Sequence, residues 1–475
     1  MKKKWFLLLV TSSALTLGAC GGHSSSNDSY GESSEEPASS ETRGSSAPTS
    51  SSEDKGILGA YYRLSYDSIL MSDENNNKIT ITYNIPDAYF SFDHASTTFK
   101  KELAIASMAF VANAPYKNKI AETYTHFGFD NLVYSDEFTK EETEDTILYT
   151  IGHKKVGSYD LVNLSLSGHN YTKPWASNFL IGKTGNHQGF QTGADKMMTA
   201  LNTYLANYNK DSLKFYINGY SRSAGIAEII ATSLIDNNKV NEDCLYGYLF
   251  ETPRGIDMSN TKEYKSIFNI INSRDVVTYV APEEYGLKRA GVDVDINKDN
   301  ADELLVAFNS KLVMPNFYAA QDETTSFSND VEFINYMFSY LLEPLEEEGS
   351  FDISTREHYV DGAQTIISPL VALAFSLDEK TLNDIKEAFS ALDTWSMIGL
   401  ISEDGLYNFL KPILDANEVV YDDEMLRTNT NALITFATQK YMILMWAMSD
   451  DVKGNVYRVV YYHCLEAILP LLINL

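Results

Sequence analysis

Ser221 stands in Gly219-Tyr220-Ser221-Arg222-Ser223, between an apolar, β-branched run (211–218, DSLKFYIN) and a stretch rich in Ala, Ile and Leu at helical spacing (224–234, AGIAEIIATSL). A serine on a sharp strand-to-helix turn has its hydroxyl lifted clear of its neighbours. The helix N-terminus behind it faces developing negative charge. That layout suits a nucleophile, which needs a base to take its proton and an acid to orient the base. Gly219 fits a crowded turn. The second small position is Ser223, so the pattern is G-x-S-x-S and departs from G-x-S-x-G. A serine in such a turn can equally be a structural hydrogen-bonding group, so its surroundings must decide.

Those surroundings alternate between strand and helix. Residues 159–165 (YDLVNLS) read as a buried strand that runs into Leu166-Ser167-Gly168-His169. His187-Gln188-Gly189-Phe190 follows, and from Gly193 to Tyr208 apolar residues recur at three- and four-residue intervals, as in an amphipathic helix. After the Ser221 turn, strands are expected at 244–250 (CLYGYLF), ending at Glu251-Thr252-Pro253, and at 266–271 (SIFNII), ending at Asn272-Ser273-Arg274-Asp275. Such alternation implies an α/β fold: a mostly parallel sheet with helices on both faces. In such sheets sites form at the carboxyl ends of the strands, where Gly168, Ser221 and Asp275 all fall. A further strand is expected from Lys78 to Ile85 and a helix from Ser96 to Asn113, completing the same domain. Residues 330–450 carry mostly helical patterns and are expected to form an insertion, part of it a cap over the serine.

The chain ends and composition set the context. MKKKWFLLLVTSSALTLGAC has a basic start, an apolar segment too short to span a bilayer comfortably, and small residues before Cys20. Residues 1–19 are read as a signal peptide. The L-G-A-C sequence resembles the lipobox of bacterial lipoproteins, which implies that Cys20 is lipidated and anchors the chain to a membrane outside the cytoplasm. Residues 20–55, mostly Ser, Gly and Glu, hold too little apolar surface to fold and are expected to be a tether. The folded unit is placed at 56–475. With a net charge of −28 and no basic cluster, nucleic acid is an unsuitable partner. Cys244 and Cys464 are too few for a disulfide framework and are expected to be free and buried. Asp293-Val294-Asp295-Ile296-Asn297 begins like a calcium loop. Lys298 then stands where glycine must turn the chain, and Leu304 where a bidentate glutamate belongs.

The order of a strand with SGHN, then HQGF, GYSRSAGIA, FETP and NSRDVV resembles the class 3 lipase group of α/β-hydrolases over about 160–290. The stretch from Gly168 to Phe190, with Glu284-Tyr285-Gly286-Leu287, is similar to a bacterial branch of that group. The resemblance implies that Asp275 is the triad acid. It also implies an oxyanion hole from the backbone N–H groups of Arg222 and His169. Chain order in that fold, serine then acid then histidine, leaves His463 and His358 as candidate bases. His463-Cys464-Leu465-Glu466 fits the H-x-x-E ending of the branch and is favoured. His358, at the capped start of a helix, is the alternative. The Arg222 side chain is expected to be an ion-pair or helix-surface group, and His187 to pack near the site. His94, His126 and His153 have no evident partner in the sequence.

The function expected is hydrolysis of carboxylic esters, acylglycerols or related lipids, through an acyl-enzyme and without cofactor or metal. Two rivals remain at this level. One is a glycan deacetylase or peptidase using the same triad. The other is a non-catalytic surface binding protein on a hydrolase scaffold.

Overall fold

The computed structural model describes residues 60–72, 78–140, 142–143, 146–167, 173–301, 303–304, 330–343, 352–392, 396, 399–439 and 462–475. Cys20, the signal segment and the tether lie outside them, as does His169.

In chain order the elements before the serine are β1 (Tyr61–Ser72), β2 (Lys78–Pro86), α1 (Lys101–Asn113), α2 (Lys117–His126), β3 (Asp130–Tyr134), β4 (Tyr149–Val156), β5 (Tyr159–Leu166), α3 (Gln188–Leu205) and β6 (Leu213–Tyr220). After it come α4 (Arg222–Asp236), β7 (Leu245–Phe250), β8 (Ile256–Asp257), β9 (Ile267–Ile271), β10 (Leu287–Lys288) and β11 (Val292–Asp295). The helical region holds α5 (Asp330–Leu341), α6 (Gln364–Ser376), α7 (Glu379–Ala391), α8 (Gly405–Ala416) and α9 (Asp423–Gln439), and α10 (Leu465–Ile473) closes the chain.

Seven strands form the central sheet in the order β11-β9-β7-β6-β5-β4-β3. The run from β5 through β6, β7 and β9 to β11 is parallel, while β4 and β3 join antiparallel at the other edge. The inner strands are buried on both faces, which is why they read as near-continuous apolar runs rather than alternating ones. Alternation instead sorts residues between two cores. Tyr216 and Tyr248 meet Phe110 of α1 and Ile468 of α10 on one face. Phe215 and Ile217 meet Met197 of α3 and Ile230 of α4 on the other. The β1–β2 hairpin adds Leu64, Tyr66, Ile81 and Ile85 to the first core.

Several expectations shift. Helix α3 begins at Gln188, one turn earlier than the apolar spacing indicates, and α1 begins five residues later, at Lys101. Cys464 is buried but Cys244 is only half-buried, in the turn just before β7 on the sheet's rim; both are free. The Asp293–Asn297 motif belongs to edge strand β11 and its exit. Asp293 pairs with Arg289 at 2.7 Å, and Asp295 Oδ1 accepts from the N–H groups of Ser273 and Asn297. Among the described residues no single helix is long and apolar enough to cross a membrane.

Candidate active site

The chain leaves β6 and enters α4 through Ser221, whose backbone sits at φ 58°, ψ −131°. A non-glycine residue there is strained by about 1–3 kcal/mol, and the surroundings hold it in place. The Ser221 N–H donates to the Phe250 carbonyl at 2.9 Å, and the Ser221 carbonyl accepts from Ala224 N–H at 2.8 Å. A Cβ at Gly219 would lie 2.6 Å from the Ser223 carbonyl oxygen, so only glycine lets the strand pass the helix start. Ser223 departs from the usual glycine for a visible reason. Its Oγ accepts from Tyr220 N–H at 3.0 Å and can donate to the carbonyl of Tyr220 at 2.9 Å or of Leu166 at 3.2 Å. The hydroxyl thus ties the turn to the end of β5.

Asp275 is wholly buried, not a surface turn residue. It caps the short 3-10 turn Val276–Tyr279, with Oδ1 accepting from Val277 N–H at 2.9 Å. Its own N–H donates to the Asn272 carbonyl at 2.8 Å. The Oδ2 atom is therefore left to point at the histidine.

That histidine is His463. Its Nδ1 lies 2.7 Å from Asp275 Oδ2 and its Nε2 lies 2.8 Å from Ser221 Oγ. With Nδ1–H donating to the carboxylate, Nε2 is the acceptor for the serine proton. His463 stands just before α10, whose Leu465, Ile468, Leu469 and Leu472 are sunk in the first core. Burial of that apolar helix fixes where the imidazole emerges. Tyr220, on the strand end before the serine, stacks its ring on the imidazole at 5.1 Å and donates its hydroxyl to the His463 carbonyl at 2.6 Å.

The alternative, His358, is exposed and bonded to Asp352 at 2.5 Å, in a turn capped by Thr355; the structure does not bring it into the Ser221 cluster. His187 is buried before α3, stacked on Phe190 at 3.9 Å and donating from Nε2 to the Asn178 carbonyl at 3.1 Å. Burial pushes its imidazole down to about 3, so it stays neutral. His126 pairs with Asp87, and His153 with Asp130 and Asp160, partners not evident from sequence spacing. His94 packs its ring edge-on against Tyr246 at 5.4 Å.

Arg222 corrects an expectation. Its side chain is buried rather than on the helix surface, and its Nε donates to Ser177 Oγ at 2.9 Å. The covering segment Lys173–Phe179 turns what would be an outer helix position into an interior one. Its backbone N–H lies at the positive end of α4. The other expected oxyanion donor, His169, lies outside the described residues.

Beside Ser221 opens an apolar cavity of about 290 Å³, lined by Phe179, Val277, Phe338, Leu341, Ile353 and Tyr359 among others. Helix α5 and residues 353–367 thus form one wall of the cavity beside Ser221. Arg356 fastens this wall to the body, donating to the carbonyls of Gly182 at 2.6 Å and Gly185 at 2.9 Å. The structure also adds Tyr220 and Glu251 to the surroundings of the cluster. Glu251 stood in the FETP motif, but no sequence pattern indicated where its carboxyl points.

A class 3 lipase family model matches residues 157–285. The matched stretch runs from β5 past Asp275 and includes Ser221, but ends before His463. Among solved structures, Rhizomucor miehei triacylglyceride lipase is similar at 16% identity, over 43% of this chain and 83% of that one, with a TM-score of 0.35. Mono- and diacylglycerol lipase from Aspergillus oryzae is similar at 13% identity, over 42% and 81%, with a TM-score of 0.32. Lipase II from Rhizopus niveus stands at 14%, over 41% and 77%, also at 0.32. No curated protein matches the chain.

Proposed function

We propose that this protein is a serine hydrolase that cleaves carboxylic esters of lipids, with Ser221 as nucleophile, His463 as base and Asp275 as the orienting acid. The observation that carries the proposal is the unbroken hydrogen-bonded chain from Asp275 through His463 to Ser221, ending at an apolar cavity. The match of residues 157–285 to the class 3 lipase family supports the same chemistry. An apolar cavity suits an acyl chain better than a sugar or a peptide, which favours lipid esters over glycan deacetylation or proteolysis. The L-G-A-C sequence at Cys20 supports display on a membrane surface through a lipid anchor, with the Ser-rich segment as tether.

In this mechanism Ser221 Oγ attacks the ester carbonyl carbon as its proton passes to His463 Nε2. Negative charge gathers on the former carbonyl oxygen, facing the N–H of Arg222 at the start of α4; the class 3 lipase resemblance implies the His169 N–H as the second donor. The imidazolium, held by Asp275, then gives the proton to the departing alcohol, and an acyl-Ser221 ester remains. Water attacks that ester with His463 again as base, releasing the carboxylic acid and restoring the serine.

The test is hydrolysis of p-nitrophenyl esters from acetate to palmitate by the wild-type chain and by Ser221→Ala, His463→Ala and His358→Ala. The first two variants should lose at least about 10³-fold in kcat, and His358→Ala should stay within about twofold, since that group touches nothing that reacts. Full activity in Ser221→Ala, or loss only in His358→Ala, overturns the assignment.

A further inference from the structure

Two carboxyl groups are buried side by side at this site. Glu251 follows β7 directly, in a left-handed backbone conformation, φ 47°, that a residue with a side chain rarely adopts. Its N–H is bound to the Ile270 carbonyl at 2.9 Å, and the residue is completely buried. Its Oε2 accepts at 2.9 Å from the N–H of Asn272, the same residue whose carbonyl holds Asp275 N–H. Among the described residues its Oε1 meets no donor in good geometry, and the Asp275 carboxyl lies beside the group.

Two neighbouring buried carboxylates cannot both be ionised, so one proton is shared between them. The donors decide where it sits. Asp275 receives His463 Nδ1–H and Val277 N–H, whereas among the described residues Glu251 receives only Asn272 N–H. The donors therefore favour the proton on Glu251. Burial first, then the charge of Asp275, pushes the Glu251 carboxyl well above the usual range. The other charges acting on it are Asp295, from β11, which opposes ionisation, and Arg289, from the turn before β11, which favours it.

We propose that Glu251 is a positioning residue of the triad, a neutral carboxylic acid that donates a hydrogen bond to Asp275 and holds that carboxylate toward His463. The proposal rests on the triad assigned above. The donated bond draws charge from Asp275 and so weakens the carboxylate's pull on the His463 Nδ1–H.

Glu251→Gln retains both contacts, since the amide oxygen can accept from Asn272 and the amide N–H can donate to Asp275. Glu251→Leu retains neither. The decisive measurement is the titration of His463 by NMR in the full chain labelled with [13C]histidine, its signal identified by its loss in His463→Ala. In Glu251→Leu the His463 midpoint should rise by about one pH unit, a tenfold gain in proton affinity, and the acid limb of kcat/KM on p-nitrophenyl butyrate should move with it. In Glu251→Gln both should match wild type. A merely structural glutamate would lower stability without moving either midpoint.

If Glu251→Leu does not fold, Glu251→Gln still decides. Were Glu251 ionised in the wild type, removing its charge would lower the His463 midpoint, and that result overturns the proposal. An unmoved midpoint in folded Glu251→Leu overturns it as well. A wild-type chain inert toward every ester would count against the proposed function instead, because the titration needs no turnover.

Discussion

The hydroxyl of Tyr220 donates a 2.6 Å hydrogen bond to the main-chain carbonyl of His463, a residue 243 positions further along the chain. The residue immediately before Ser221 thus grips the backbone of His463, and its ring stacks on the imidazole. Tyr220→Phe keeps the stack and leaves a buried carbonyl without its donor, which costs about 1–3 kcal/mol. If part of that loss falls on the reacting geometry, kcat should drop about three- to tenfold with KM unchanged. Steady-state kinetics on a soluble ester check this; a change confined to KM would mean that Tyr220 acts on substrate binding.

Ser223 is a fastening group, not a degenerate motif position. Ser223→Ala removes the acceptor for Tyr220 N–H and the donor to the carbonyls of Tyr220 and Leu166. We expect a loss of about 1–3 kcal/mol in stability, read from urea unfolding, together with lower activity. Ser223→Gly restores the common G-x-S-x-G pattern yet should be no better, because it loses the same bonds and weakens the first turn of α4.

Chain-length preference should follow the cavity wall. Leu341→Trp fills space beside Phe338 and Tyr359. Each acyl methylene that loses its place forfeits about 0.8 kcal/mol, so losing three lowers kcat/KM by roughly 50-fold. Palmitate and decanoate esters should therefore suffer most, with acetate within about threefold of wild type. A uniform loss across the ester series would show that the wall does not contact the acyl chain.

His187 makes stability fall in acid. Its folded pKa of about 3 lies below the ordinary histidine value of 6.5, because burial disfavours the charged ring. Below about pH 6.5 the unfolded chain takes up a proton that the folded chain refuses. The contribution is whole above that pH and is lost at about 1.4 kcal/mol per unit as pH falls toward 3. His187→Gln can still donate to Asn178 and does not titrate. Between pH 7.5 and 4.5 the wild type should lose about 2–3 kcal/mol more than this variant. Equal losses in urea denaturation at the two pH values would contradict it.

Much of the framework was legible because its physics is local. Strands β5, β6, β7 and β9 are buried on both faces, so each is a compact apolar run, and the glycine and serines of the elbow announce a turn that other residues would obstruct. Local signals misled where a distant segment covers a residue. Arg222 begins a helix that reads as half-exposed, yet Lys173–Phe179 buries it. Cys244 is apolar in type, but the rim of the sheet leaves it half-covered. The early start of α3 escaped the apolar spacing because His187 and Phe190 pack there by stacking rather than by helical periodicity.

By itself the sequence determined the alternation of strand and helix, the serine turn and the two histidines able to follow Asp275. Which histidine reaches the serine was decided only in three dimensions. His463 and Asp275 are 188 positions apart, and separation along a chain carries no information about distance once a helical region intervenes. Burial of α10 against α1 brings His463 to the strand ends, while His358 faces solvent beside Asp352. Tertiary packing likewise put Glu251 against Asp275. A strand-end glutamate looks the same in sequence whether it meets water or another carboxyl group, and only the closed core makes that meeting a matter of one shared proton.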